Sequence, residues 1–164
     1  MPTIQRIAPC LWYDSQAEAA AAFYTSIFAN SRIVRTLRYG EAGHEIHGQP
    51  AGSVLTVVFE LDGQRFTALN GGPLFTFNEA VSLEVRCADQ GEVDYFWDRL
   101  TDGGEESACG WLKDRFGLSW QVTPAVLDDL INDPEDERSE RVMDALLKMK
   151  KLDIAALERA HRGD

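Results

Sequence analysis

Proton transfer and metal binding fall to histidine, glutamate, aspartate and cysteine, and few of these stand where their spacing would let them act together. His44, Glu45 and His47 form the one histidine cluster. The stretch is one residue short of H-E-x-x-H and lies among glycines, where the helical i, i+4 geometry of that motif is not expected. A loop metal site or a proton relay competes with two exposed loop histidines, and the second is the expectation. Glu84 is different, because Val81, Leu83 and Val85 place it on an apolar run. A carboxylate there costs free energy unless paired, and a raised pKa would suit a general base. Catalytic residues are otherwise unknown, and Glu84 is the best candidate. The competing readings are an ion pair with Arg86 or Lys113, or a rim position open to water. Phe66 and Asn70 on one strand face, with Trp111, combine aromatic surface and polar groups as small-molecule pockets do. Plain core and turn structure is the alternative for these three.

The three cysteines, Cys10, Cys87 and Cys109, are odd in number and form no C-x-x-C pair. A disulfide framework is not expected, and a reducing, cytoplasmic setting is. Cys10 and Cys87 are expected to pack against helices, leaving Cys109 as the accessible thiol. It has no histidine near it in sequence to activate it.

Composition narrows the partners. Sixteen basic and 27 acidic residues give a net charge of -11, which repels phosphate backbones and anionic lipid. Neither nucleic-acid nor membrane binding is expected. The 45% hydrophobic content suffices for a sizeable core in a chain of 164 residues. The amino terminus shows no signal-peptide pattern, and no apolar run is long enough to span a bilayer.

Apolar runs at residues 4–13, 31–39, 53–61, 64–70, 80–87, 105–109, 111–113 and 119–123 read as strands. Alanine-rich residues 16–28 and amphipathic residues 90–100 read as helices, with Asp14-Ser15 and Ala88-Asp89 before them. Val93, Phe96, Trp97 and Leu100 mark the buried face of the second. Asp62-Gly63 predicts a tight hairpin, because both turn positions need positive φ. Residues 40–52 hold glycines and a proline and predict a loop. In the tail, Asp133 and Asp153 stand ready to cap two helices, and Val142, Leu146 and Met149 form an apolar stripe. That tail is expected to cover one end of a sheet or to meet a partner chain.

Strand, helix, then three strands occurs twice, with Asp14 and Asp89 at corresponding places 75 residues apart. The predicted organisation is a first module over 1–77, a second over 78–124 and a helical extension over 125–164, within one structural domain.

With that repeat in place, four stretches resemble the PhnB-like branch of the vicinal oxygen chelate superfamily, the subgroup labelled demethylubiquinone methyltransferase-like. They are LWYDSQAEAAAAFYTSIF at 11–28, FELDGQRFTALNGGPLF at 59–75, CGWLKDRFGLSWQV at 109–122 and RVMDALLKMKKLDIAALERA at 141–160. The superfamily also holds glyoxalases, extradiol dioxygenases and bleomycin- and fosfomycin-resistance proteins. The resemblance implies an α+β fold in which two βαβββ modules form curved mixed sheets around a cleft, followed by carboxy-terminal helices. It also implies a homodimer, often with modules exchanged.

Metal-using relatives take two ligands from each module, on its first and last strands. Carried over by register, those positions fall near Ile7, Ala68, Ser82 and Gln121, an aliphatic, a methyl, a hydroxyl and an amide. Such a set does not hold Zn²⁺, Ni²⁺ or Mn²⁺. Arg6, Ala8 and Pro9 beside Ile7 offer no ligand either. A methyltransferase would show a glycine-rich turn between strand and helix, and Asn70-Gly71-Gly72-Pro73 leads into no helix signal. The expectation is therefore a binding protein for a small organic molecule, with no metal and no cofactor, and with Phe66, Asn70, Ser82, Glu84, Trp111 and Gln121 lining the cleft. The alternatives are a metal-dependent lyase, transferase or dioxygenase, an enzyme using Glu84 as base, or an interaction module.

Overall fold

A computed structural model describes residues 4–164 and divides the chain into two compact units, the first ending at Phe77 and the second beginning at Asn78. The first contains β1 (Cys10–Tyr13), α1 (Ala17–Ile27), β2 (Arg32–Arg38), α2 (His44–His47), β3 (Val54–Leu61) and β4 (Gln64–Asn70). The second contains β5 (Ser82–Cys87), α3 (Gln90–Thr101), β6 (Glu105–Glu106), β7 (Trp111–Lys113), β8 (Ser119–Pro124), α4 (Leu127–Ile131), α5 (Asp136–Leu146) and α6 (Ile154–Arg162). Each unit has one four-stranded mixed sheet, β1-β4-β3-β2 and β5-β8-β7-β6, whose first strand runs parallel to its neighbour. The α+β architecture implied by the resemblance, with strand, helix and three strands in each unit, is the one observed.

In the first unit α1 lies on β3 and β4. Ala17, Ala20, Ala21, Tyr24 and Ile27 are its buried face, and the small alanines let the helix come close to the sheet. Phe59 stacks on Phe66 at 5.4 Å between ring centroids, and Tyr24 stacks on Phe59 at 6.2 Å. The Tyr13 and Tyr24 hydroxyls share a hydrogen bond of 3.1 Å within this layer. Asp62 and Gly63 join β3 to β4 with φ of 47° and 78°, the mirror-image turn expected from the sequence.

Three local expectations are corrected. The first strand spans Cys10–Tyr13 and not residues 4–13, because Pro9 has no N–H to extend the ladder. Gln5 instead reaches Arg65 N through its side chain at 3.0 Å. Residues 40–52 are not all loop, since His44–His47 forms one helical turn between Gly43 and Gly48, both left-handed. Neither Asp14 nor Ser15 caps α1, whose first residue is Gln16-flanked and receives no local side-chain cap.

In the second unit α3 packs on β5, β7 and β8. Asp89 caps it, accepting from Glu92 N at 2.9 Å, while the Glu92 carboxylate accepts from Ala88 N at 2.7 Å. Val93, Trp97 and Leu100 are buried, with Phe96 partly so. The turn after β7 closes on buried Asp114, which accepts from the Phe116 and Leu118 amides and from the Trp120 indole N–H.

The tail has its own core of Leu127, Leu130, Val142, Leu146, Leu152 and Leu157. It sits on the turn before β7, where Cys109 N and Gly110 N donate to Met149 O and Lys150 O, each at 2.8 Å. Asp153 caps α6 through Ala156 N. Asp133 does not cap a helix at Pro134, since α5 begins at Asp136. It takes the Glu135 amide and faces His161 Nε2 at 2.7 Å. The five-residue α4 is too short to show a period in the sequence. Among the described residues no helix is long and apolar enough to cross a membrane.

Candidate functional site

Strand alternation divides each sheet into a face under its helix and an open face. In the second sheet Val85, Cys87, Leu112, Trp120 and Val122 are buried on the α3 side. The opposite set is Ser82, Glu84 and Arg86 from β5, Gln121 and Thr123 from β8, and Trp111 and Lys113 from β7. Cross-strand register brings them together, with Ser82 opposite Ser119, Glu84 opposite Gln121, and Trp111 opposite Gln121. Gln121 Nε2 donates to Ser82 Oγ at 2.9 Å, and Thr123 Oγ1 donates to Glu84 Oε1 at 3.2 Å. Ser82, Glu84, Trp111 and Gln121, scattered over 40 positions of sequence, thus share one open surface. Thr123 was missed, although its spacing of two from Gln121 on the same strand puts it on that face.

Glu84 is exposed, so the burial that a general-base reading needs is missing. The expected ion pairs are made elsewhere, because Arg86 meets Asp128 at 2.7 Å and Lys113 meets Glu79 at 2.5 Å. What remains is a water-exposed carboxylate held by one hydroxyl.

The first sheet overturns the other half of the sequence reading. Phe66 and Asn70 lie under α1, not on the open face. Asn70 Oδ1 accepts from Ala17 N at 2.8 Å, and its Nδ2 donates to Val54 O at 3.1 Å. It is the cap that α1 lacks locally, delivered from β4 (Tyr39 Oη also donates to its carbonyl at 2.6 Å). Ala68, carried over as a metal-ligand position, is fully buried beside Val57 on the same face, and Ile7 is 86% exposed outside any strand. The physical cause is a parity slip of one residue. Leu11 and Tyr13 face α1, so Cys10 and Trp12 occupy the open face. Cys10 is accordingly exposed, contrary to the expectation that it packs on a helix, while Cys87 is buried as expected. Burial, with Glu92 and Asp89 nearby, pushes the Cys87 thiol up to about 12.

The open face of the first sheet also explains the glycines after β4. A Cβ on Gly71 would lie 2.2 Å from the Trp12 indole, whose Nε1–H donates to Gly72 O at 2.9 Å. Phe75 packs edge-on against the same indole at 4.9 Å. Asn70-Gly71-Gly72-Pro73 is therefore a seat for Trp12, and the next regular element is β5, not a helix.

His44 is exposed, as expected, but His47 is half-buried against Tyr39 with ring centroids 4.6 Å apart. Its Nδ1 accepts from Gln49 N at 2.9 Å, leaving Nε2 to donate to Ala42 O at 3.1 Å. Both nitrogens tie the loop. Among the described residues no three His, Cys, Asp or Glu side chains converge as a metal site. Around Ser82 and Gln121 on the open face of the second sheet, Glu84 is the one carboxylate among hydroxyls and an amide, a donor set that does not fit the superfamily's divalent metal.

Residues 5–123 match the protein family described as 3-demethylubiquinone-9 3-methyltransferase. A search of curated proteins found no match. Among solved structures, a Bacillus cereus PhnB protein provisionally given that methyltransferase name is 35% identical, covering 74% of this chain and 100% of its own, with a TM-score of 0.66. Protein PA1353 from Pseudomonas aeruginosa is 17% identical over 74% of this chain and 98% of its own, at a TM-score of 0.60. The fosfomycin resistance protein FosX from Listeria monocytogenes is 15% identical over 78% of this chain and 98% of its own, at a TM-score of 0.50. The last two share the fold alone. The chain belongs to the 3-demethylubiquinone-9 3-methyltransferase family, within the PhnB-like branch of the vicinal oxygen chelate superfamily.

Proposed function

We propose that the protein binds a small organic molecule on the open face of its second sheet, without a metal ion. Ser82, Glu84, Trp111 and Gln121 supply the contacts, joined by Thr123. The observation that carries this reading is the convergence of these side chains on one solvent-open surface, where Gln121 holds Ser82 and Thr123 holds Glu84. An indole beside two hydroxyls, an amide and a carboxylate offers both apolar contact and orientation. The metal chemistries of the superfamily are set aside because the donor set does not fit, and methyl transfer because Asn70-Gly71-Gly72-Pro73, the glycine-rich turn considered for its cofactor, leads to β5 and not to a helix.

The homodimer implied by the family and the cytoplasmic setting expected from the unpaired cysteines complete the reading. In support of a dimer, β1 and β5 each stand at an end of their sheet, the position at which a strand of another chain adds to a sheet. Light scattering on the purified protein is expected to give twice the chain mass of 18.3 kDa.

The test is a thermal-shift screen of small organic compounds against chelator-treated protein and against Gln121→Ala. Compounds that stabilise the metal-free protein and lose their effect in the variant support the proposal. Stabilisation that appears only after Zn²⁺, Ni²⁺, Mn²⁺ or Fe²⁺ is restored would sink it.

A further inference from the structure

At one end of the same open face lies a small cavity of about 160 Å³, whose lining includes Glu79, Glu105, Glu106, Trp111, Lys113 and Ser119. That is room for the share of roughly five water molecules, so an occupant has only a few non-hydrogen atoms. Ser119 is fully buried, and its Oγ has no hydrogen-bond partner among the described residues. A buried hydroxyl without a partner costs stability, and such groups recur where a ligand or water completes them.

The charges around that hydroxyl are unbalanced. Lys113 is matched to Glu79 at 2.5 Å, which lowers the carboxyl and raises the ammonium from their ordinary values. Glu106 accepts the Trp97 indole N–H at 3.1 Å from the α3 side. Glu105, opposite Lys113 on the β6–β7 ladder, has no ion pair of its own among the described residues. The lining therefore carries three carboxylates to one ammonium, with an indole beside them, a combination that favours a cation through charge and through the aromatic face.

We infer that this cavity receives a small primary ammonium compound bearing a hydroxyl, of the amino-alcohol class, with the ammonium on Glu105 and the Trp111 face and the hydroxyl on Ser119 Oγ. The inference rests on the reading of the open face as a ligand surface and names the chemistry of one end of it. It answers both features at once, the excess of carboxylates over the single ammonium of Lys113 and the hydroxyl without a partner.

Ethanolamine is the probe, titrated into ¹⁵N-labelled wild-type protein with ethylene glycol and glycolate as neutral and anionic counterparts. Ethanolamine is expected to shift the amides of Lys113 and Ser119 with a Kd on the order of millimolar, as its four heavy atoms allow, and the counterparts to bind at least about fivefold more weakly. Glu105→Gln is expected to remove that preference. Ser119→Ala is expected to weaken binding and also to raise the Tm of the ligand-free protein by about 1–4 °C, because the partnerless hydroxyl is gone. That rise also shows that the variant folds. Unshifted Lys113 and Ser119 amides, equal binding of ethylene glycol, or a lowered Tm in Ser119→Ala would each overturn the inference. If ethanolamine is silent while other compounds shift Ser82, Glu84 and Gln121, the inference fails and the proposed function stands. Silence of every compound over the whole face defeats both.

Discussion

Asn70 and Gln121 are both amides on the last strand of a βαβββ module, yet they do opposite things. Asn70 is buried, with its oxygen on the first amide of α1 and its nitrogen on Val54 O. Gln121 faces the open side of its sheet and holds Ser82. In the second unit the helix is capped by its own Asp89, so the last strand keeps its amide for the surface. In the first unit α1 has no local cap, and β4 spends its polar residue on the helix end. The difference teaches that a polar side chain on a repeated strand cannot be read as ligand-facing until the helix ends are accounted for.

Substitutions can break this contrast, and the largest effect belongs to the first sheet. Phe66→Ala removes a ring stacked on Phe59 under α1 and is expected to cost about 3–5 kcal/mol in urea unfolding. A loss under 1 kcal/mol would place Phe66 outside the core. Asn70→Ala leaves Ala17 N and Val54 O without partners and should cost about 2–3 kcal/mol, with Asn70→Asp recovering the part owed to the helix cap. If Asn70→Ala were neutral in stability but abolished ligand binding, the cap assignment would be wrong.

The second sheet should respond in the reverse sense. Glu84→Gln and Gln121→Ala are expected to change stability by no more than about 1 kcal/mol, since Glu84 is exposed and Gln121 is half-buried with one hydrogen bond to Ser82, while lowering ligand affinity. Calorimetric titration beside thermal unfolding separates the two effects.

A smaller contrast lies in the thiols. Native protein mixed with a thiol-reactive disulfide reagent should label Cys10 ahead of Cys87, which reacts only on unfolding, because Cys10 is exposed while Cys87 is buried and its thiol held near 12. Rapid labelling of Cys87 would contradict the packing of β5 against α3.

Much of this was legible in the sequence. The duplicated order of elements, the Asp62-Gly63 turn and the Asp89 and Asp153 caps each rest on local chemistry that the chain displays directly. The open-face residues of the second sheet were also legible, since Ser82, Glu84 and Gln121 alternate with residues that are plainly apolar. Phe66 and Asn70 were not, because β3 and β4 carry apolar side chains on both faces and alternation there points nowhere. The first strand misled for another reason: Pro9 cut it to four residues, too short to fix which parity faces the helix. Ser119 hid for want of any signal, since a serine next to Trp120 says nothing about a hydroxyl lacking a partner.

The most direct test of the central claim is to map ligand contacts by NMR on protein stripped with chelator and verified by elemental analysis. The account predicts that a binding compound shifts resonances of Ser82, Glu84, Trp111 and Gln121, leaves those of Phe66 and Asn70 in place, and needs no added metal. Shifts centred on Phe66 and Asn70, or binding that appears only when a divalent metal is restored, would contradict it.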